Sequence, residues 1–350
     1  MRDLRTLDIA SLPAITRSTD WNVKMRKIFA LAVLAMVLAL AATQFGPSAL
    51  FGDQGNGYDH EPAPEFAGIS TWLNSPPLTM AALKGRVVLV QFWTYSCINS
   101  LRTLPYVTSW YKKYKDRGFI VVGIHTPEFA FEKQTSNVEA AVNRLGVTYP
   151  VGKDDRYSTW RAYGNQYWPA AYLIDRTGTI VMTQFGEGNY KQLEETIANL
   201  VGEHLPLTRA PDSDLSAIDS PEMYFGADKN RDAIVPSQTS DAGERSYTAP
   251  EQLPLNRFAL SGAWKLGKND AMSSTDGAEI VLRFWAPKVN LVAGSSAPQT
   301  VLITVDGKPQ SPVTIQGSQL YPIYVGTGGE HLLRVTAPKA GLSAYTFTFG

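Results

Sequence analysis

A chain of 350 residues, 44% hydrophobic and 18% charged, has the composition of packed globular protein and the length of about two domains plus a remainder, which excludes wholesale disorder and a polytopic membrane protein. Thirty-two Lys and Arg balance thirty-two Asp and Glu, so no net field draws a polyanion, and without a long basic run no nucleic-acid partner is expected. The single cysteine, Cys97, excludes an internal disulfide framework and a zinc site of several thiolates, so covalent chemistry there needs a partner from outside the chain.

The first segment, residues 1–45, reads as an export signal or membrane anchor. Ile28 to Ala42 are fifteen uninterrupted apolar residues behind Lys24, Arg26 and Lys27, and they include Ala39-Leu40-Ala41. Cations, an apolar stretch and a small-residue site are the pattern of a cleavable signal. As a helix the run spans roughly 22 Å, short of the roughly 30 Å hydrocarbon core. Cleavage is therefore favoured over an uncleaved anchor, and translation is expected to start at Met25. Either way the bulk of the chain is expected to be exported, in a periplasmic or other extracytoplasmic space.

After a Gly/Pro/acidic stretch from Gly46 to Pro64, residues 62–203 alternate strand-like and helix-like segments in the order of an α/β domain with parallel strands. Arg86 to Trp93 is a nearly continuous apolar run, as a strand covered on both faces requires. Ser96 to Lys115 carries Leu101, Leu104, Val107, Tyr111 and Tyr114 at helical spacing. Phe119 to Ile124 reads as a buried strand, Asn137 to Leu145 as a helix and Thr159 to Tyr163 as a helical turn. Ala171 to Asp175 and Thr179 to Phe185 flank an Arg-Thr-Gly hairpin turn, and Tyr190 to Val201 is an amphipathic helix. Residues 204–256 lose apolar periodicity and read as a linker with one docked segment, Met223 to Phe225. Residues 257–350 then hold short alternating runs, at Glu279 to Phe284, Thr300 to Val305, Tyr321 to Val325, His331 to Val335 and Ala344 to Phe349, which predict an all-β, jelly-roll-like sandwich.

Cys97 falls just past the first long strand, at the start of the next helix. Unpaired N–H groups and the helix dipole favour an anion there, so the thiol pKa is expected to be lowered and a nucleophilic thiolate populated near neutral pH. Ser96, Asn99 and Ser100 surround it with polar groups.

The stretch WTYSCINSLRTLP resembles the active-site segment of thioredoxin-like proteins of the TlpA and DipZ group, which carry Cys-x-x-Cys there. Pro105 matches the helix-kinking proline of that group, and Trp168-Pro169 matches the proline that is cis in the thioredoxin fold and faces the catalytic sulfur. VVGIHTPEF at 121–129 and WPAAYLIDRTG at 168–178 extend the resemblance over about residues 62–203. It implies a thioredoxin-like α/β fold with Cys97, Ser100 and Pro169 at the centre of the site. Trp93, Gln91, His125, Glu128 and Trp168 are the accessory candidates. His125 would hold or receive a proton near Cys97, and Glu128 would raise its pKa.

Two departures from the group matter. Ser100 stands where the second cysteine belongs, and its hydroxyl is too weakly acidic to attack a disulfide. Gln91 stands where thioredoxins bury an Asp. A Cys97 thiolate still makes mixed disulfides, but release then depends on an external thiol. Ser100 is read as a hydrogen-bond donor to that thiolate. The expected activity is monothiol thiol:disulfide exchange without organic cofactor or metal. Its expected partners are disulfide-containing proteins and an external thiol or, by resemblance only, a membrane electron donor.

Two rivals stand beside that reading. One is a one-cysteine peroxidase, since Thr94-x-x-Cys97 matches part of the Pro-x-x-x-Thr-x-x-Cys pattern, although Val90 replaces the proline. The other is a redox-inactive binding module. FALSGAW at 258–264, AEIVLRFWAPKVNLV at 278–292 and AYTFTFG at 344–350 loosely resemble the carbohydrate-binding-module-like domain of DipZ-type proteins. Cell-wall carbohydrate is then a candidate ligand, with Trp264, Trp285, Tyr321 and Tyr324 as stacking faces. Alternation puts Ile280, Leu282 and Phe284 inward and Val281, Arg283 and Trp285 outward, which singles out Trp285.

Overall fold

The computed structural model describes residues 61–203, 205–210 and 215–350. The expected export segment lies outside the described residues, among which no helix is long and apolar enough to cross a membrane.

The first half is built on strands β1 (Thr71–Leu73), β2 (Val87–Trp93), β3 (Phe119–His125), β4 (Val151–Lys153), β5 (Ala170–Ile174) and β6 (Ile180–Phe185). Helices α1 (Ile98–Tyr114), α2 (Thr135–Arg144), α3 (Ser158–Ala162) and α4 (Tyr190–Val201) connect and cover them. The strand order is β1-β4-β3-β2-β5-β6. Every residue of β2 and β3 is buried, because one core packs on each face of the sheet. On one face Leu104, Val107 and Trp110 of α1 meet Leu193 and Ile197 of α4 and Val138 of α2. On the other, Trp160 and Tyr163 lie with Met80 and Leu83 against Val88, Val90 and Phe92.

The sheet is mixed: β2, β3 and β4 are parallel, as the strand-helix alternation predicts, β5 and β6 pair antiparallel as the predicted hairpin, and β1 and β5 also run against their neighbours β4 and β2. The β5–β6 connection is too short for a crossover and closes as a hairpin. Asp175 Oδ1 accepts from the amides of Thr177 and Thr179 at 2.9 and 3.0 Å and fixes that turn.

The second half contributes β7 (Met223–Tyr224), β8 (Gly243–Tyr247), β9 (Arg257–Leu266), β10 (Ala271–Ser273), β11 (Ala278–Trp285) and β12 (Lys288–Ser295). It continues with β13 (Gln299–Val305), β14 (Lys308–Pro309), β15 (Val313–Ile315), β16 (Gln319–Val325), β17 (Glu330–Ala337) and β18 (Leu342–Phe349). They form one antiparallel sheet of twelve strands that curls around a core including Trp264, Ile280, Leu282, Phe284, Leu291 and Phe347. Strand β9 belongs to both halves of the curl. Its start pairs with β11 and its end with β8 and β10. The change falls at Gly262, with φ +86°, where a Cβ would come within 3.2 Å of Ala278 Cα.

Two readings of this half need correction. The expected linker 204–256 carries β7 on β18 and β8 on β9, and it buries Ala233, Ile234 and Val235. Its Pro-rich composition hid pairings too short to show alternation. Val281 is buried rather than outward, under Val235 and Leu253 of that same segment.

The halves meet along α1 and the chain after β3. Tyr345 packs on Phe129 and Phe131 at ring-centroid distances of 5.3 and 4.7 Å, and Val292 joins the core beneath α1. The described residues therefore form one compact unit.

Candidate functional site

The β2 strand ends at Trp93, and three further residues bring the chain to Cys97, the N-cap of the 17-residue helix α1 with φ −83° and ψ 117°. Its carbonyl accepts the first helical bond from Leu101 N at 3.0 Å. The Cys97 Sγ donates to the Trp168 carbonyl oxygen at 3.8 Å, and the Trp168–Pro169 bond beside it is cis. Trp168 is held by its indole N–H on Thr126 O at 3.0 Å and by Trp160 at 4.3 Å between centroids. Ser100, wholly buried, turns both its amide and its hydroxyl toward the Cys97 sulfur.

The expected low thiol pKa is overturned. Burial pushes Cys97 up to about 12, the Glu222 charge and, less strongly, that of Glu128 add to the rise, and the two Ser100 hydrogen bonds only partly oppose it. Cys97 is 9% exposed, and a thiolate there lacks the water that stabilises it in a free peptide. The helix terminus is present as expected. Desolvation, together with the Glu222 charge from more than a hundred residues away, outweighs it.

The segment leading into β7 faces the sulfur across a cavity. The Tyr224 hydroxyl lies 2.6 Å from Glu128 Oε1 and 3.0 Å from Glu222 Oε2. Lys229 Nζ sits 3.6 Å from Glu128 Oε1 and 4.1 Å over the Tyr224 ring. Glu222 is an exposed residue, but desolvation of its carboxyl group and the Glu128 charge raise it above the usual carboxylate range, opposed by the Tyr224 and Thr346 hydroxyls and the Lys229 charge. Between this segment and α1 opens a cavity of about 270 Å³ lined by Cys97, Ile98, Asn99 and Arg102 on one side and by Ser220, Glu222 and Thr348 on the other. Arg102 ties its walls together. Its Nε and Nη2 take both Glu187 oxygens at 2.8 and 2.7 Å, Nη2 also reaches Asn99 Oδ1 at 2.5 Å, and Nη1 donates to Phe349 O at 3.2 Å.

Gln91 lies deeper and does not meet the sulfur. Its amide donates to Thr103 Oγ1 at 2.9 Å and its carbonyl accepts from Tyr149 at 3.1 Å, while Thr103 in turn donates to Ser100 O at 2.7 Å. Trp93 is fully buried edge-on to His125. His125 is not the proton carrier expected near Cys97. It is completely buried against Tyr95 at 5.6 Å, its Nε2 is 3.4 Å from Thr94 Oγ1, and burial lowers its pKa to about 3, which leaves a neutral ring at neutral pH.

The carboxylate beneath the active-site loop is instead Glu132, which no motif singled out. Thr94 Oγ1 donates to its Oε1, Ser96 Oγ donates to the same atom at 2.7 Å, and the amides of Glu128 and Phe129 donate to Oε2 at 2.6 and 3.0 Å. The Thr94 hydroxyl of the peroxidase-like Thr-x-x-Cys spacing is thereby engaged with Glu132. Full burial raises Glu132 to about 7 despite those four bonds. Its folded pKa lies above its unfolded value, so its contribution to stability is complete below about pH 4.3 and is lost as pH rises toward 7. The expected loss is about 3 kcal/mol. Denaturant midpoints of the full chain between pH 4.5 and 7.5 should fall with pH by that much more in the natural protein than in Glu132→Gln. Parallel profiles would show that Glu132 does not titrate there.

The expected sugar platforms separate sharply. Trp264 is fully buried, and Tyr321 and Tyr324 are 7% and 9% exposed, with the Tyr321 hydroxyl donating to Gln316 O at 2.6 Å. They are core residues, because their strands turn them into the curl. Trp285 is 42% exposed, at the end of β11.

Glu132, Glu222, Arg102 and Thr348 all escaped the sequence reading. The only signal for Glu132 is a lone acid after the apolar Phe129-Ala130-Phe131, and for Glu222 there is none.

Residues 59–200 match the family described as Redoxin and residues 220–350 the one described as Thioredoxin like C-terminal domain. Protein DipZ of Mycobacterium bovis and of Mycobacterium tuberculosis is 39% identical over 305 residues, which cover 82% of this chain and 43% of each relative. The chain thus spans less than half the length of these relatives. Thiol-disulfide oxidoreductase YkuV of Bacillus subtilis is 27% identical over 143 residues, 41% of this chain and 96% of the relative. Among solved structures, a thiol:disulfide interchange protein of the thioredoxin family from Chlorobium tepidum is 26% identical with a TM-score of 0.36, over 41% of this chain and 97% of that one.

Proposed function

Because the chain is a TlpA/DipZ-type thioredoxin-like protein, a redoxin domain followed by a thioredoxin-like C-terminal domain, we propose that it catalyses extracytoplasmic thiol:disulfide exchange through the single sulfur of Cys97. The observation that carries this reading is the placement of Cys97 at the N-cap of α1, against the cis Trp168–Pro169 junction and at the wall of a cavity. The Cys97 thiolate attacks one sulfur of a partner disulfide, the S–S bond breaks, and the partner leaves as a thiolate that takes up a proton. The mixed disulfide on Cys97 is then released by an external thiol, because Ser100 offers no second sulfur. The Ser100 amide and hydroxyl stabilise the charge on Cys97 in both steps, and Pro169 and Trp168 shape the partner's seat.

The proposed organisation is an export segment in residues 1–45, the redox domain in 62–203, a connecting segment that caps it in 204–256, and the sandwich in 257–350. Proposed partners are disulfide-bearing proteins or small disulfides, with an external thiol or a membrane donor restoring Cys97.

Turnover by the full chain should rise in proportion to the concentration of added thiol and should vanish in Cys97→Ser. Exchange that persists in Cys97→Ser would overturn the proposal. A second reading, the redox-inactive binding module, is favoured by the burial of Cys97 and its raised pKa. It predicts no exchange at any thiol concentration.

A further inference from the structure

The cavity beside Cys97 has an unbalanced electrostatic character. Arg102 is its one cation, and that charge is already spent on Glu187, Asn99 and the Phe349 carbonyl. Lys229, behind it, is paired with Glu128. Glu222 faces the same space, and among the described residues it has the Tyr224 hydroxyl as a partner at 3.0 Å but no Lys or Arg ion pair. On the β18 side Thr348, 2% exposed, presents a buried Oγ1 with no hydrogen-bond partner among the described residues. A buried hydroxyl without a partner costs about 1–3 kcal/mol, and a ligand in the cavity would supply one.

We propose that this cavity binds a small disulfide carrying a cationic group, such as an ammonium, within a few bonds of its sulfur, with the cation on Glu222, a polar atom on Thr348 and the near sulfur at Cys97. The proposal rests on Cys97 being the exchanging sulfur and names its substrate class. The cavity, about 270 Å³, suits a small molecule. The cation also serves the chemistry. The charges that act on Cys97 are Glu222 and Glu128, with Arg102 on the same wall of the cavity as Cys97 and Lys229 beside Glu128. An ammonium on Glu222 cancels the larger of the two repulsions that hold the thiol protonated. The substrate thus activates its own nucleophile. Cys97 then forms one S–S bond as the substrate's S–S bond breaks. The electron pair leaves on the departing amino-thiolate, which takes up a proton, and no further oxidant or reductant is consumed.

The test compares three probes on the full chain at neutral pH: cystamine, neutral hydroxyethyl disulfide and anionic dithiodiglycolate. Each rate of adduct formation at Cys97 is divided by the rate of the same disulfide with 2-mercaptoethanol, which removes differences in leaving group. The normalised rates should fall in that order, with cystamine about tenfold or more above dithiodiglycolate. The spread should collapse in Glu222→Gln, and also in the natural protein at high salt, a readout that does not depend on the variant folding. Equal normalised rates, or a spread that survives both changes, would overturn this inference and leave exchange at Cys97 standing. Absence of any adduct with all three probes would sink the exchange reading itself.

Discussion

Replacing Ser100 with cysteine is expected to give the protein an insulin-reducing activity at least about a hundredfold above that of the natural chain. Residue 100 sits one turn into α1, fully buried, with its amide and side chain already within hydrogen-bond reach of the Cys97 sulfur. A thiol there needs no backbone movement to attack a mixed disulfide on Cys97. The second step of exchange becomes intramolecular, and its rate ceases to depend on external thiol. Gln91 leaves the new cysteine without a neighbouring acid to take its proton, so the variant should gain turnover yet become faster as pH rises. A Ser100→Cys protein that forms no disulfide between Cys97 and the introduced thiol, and reduces nothing, would place Cys97 outside redox chemistry.

The second large effect concerns the thiol itself. Alkylation of Cys97 in the natural protein should have a pH midpoint well above the free-cysteine value of about 8.5, toward the value of about 12 that burial and the Glu222 charge impose. At neutral pH a gap of that size slows alkylation on the order of a thousandfold against a free peptide thiol. Removing a negative charge near a thiolate favours it, so Glu222→Gln should move the midpoint down. A midpoint at or below 8.5, unchanged in Glu222→Gln, would mean that the segment entering β7 does not cover the sulfur in solution.

Local physics made much of this legible. The continuous apolar run of β2 announced a strand buried on both faces, and the spacing of Leu104, Val107 and Tyr114 announced the helix behind it. Cys97 at their junction depends on chain within a few residues, whereas Pro169 before β5 is placed by the resemblance to thioredoxin-like proteins. What sequence hid is what depends on distant chain. Burial raises the pKa of Cys97 and the Glu222 charge adds to it, and nothing in a Pro-rich stretch marks one glutamate as the neighbour of a thiol more than a hundred residues earlier. His125 seemed a loop histidine at a sheet edge, but Tyr95 and Trp93 bury it. Glu132 belongs to no motif, and only the fold shows the hydroxyls of Thr94 and Ser96 converging on it. Tyr321 and Tyr324 resembled platforms because alternation gives the face of a strand without saying which face the curl encloses.

The central claim is that one sulfur, Cys97, carries the exchange. Its most direct test is a single-turnover experiment in which the full chain is mixed with excess cystamine, quenched at intervals and weighed intact. The account predicts one half-cystamine adduct per chain, located on Cys97, stable until a thiol is added and then removed completely, with none formed on Cys97→Ser. A chain that stays unmodified at every time point while the same cystamine consumes 2-mercaptoethanol would contradict it, and the binding-module reading would take its place.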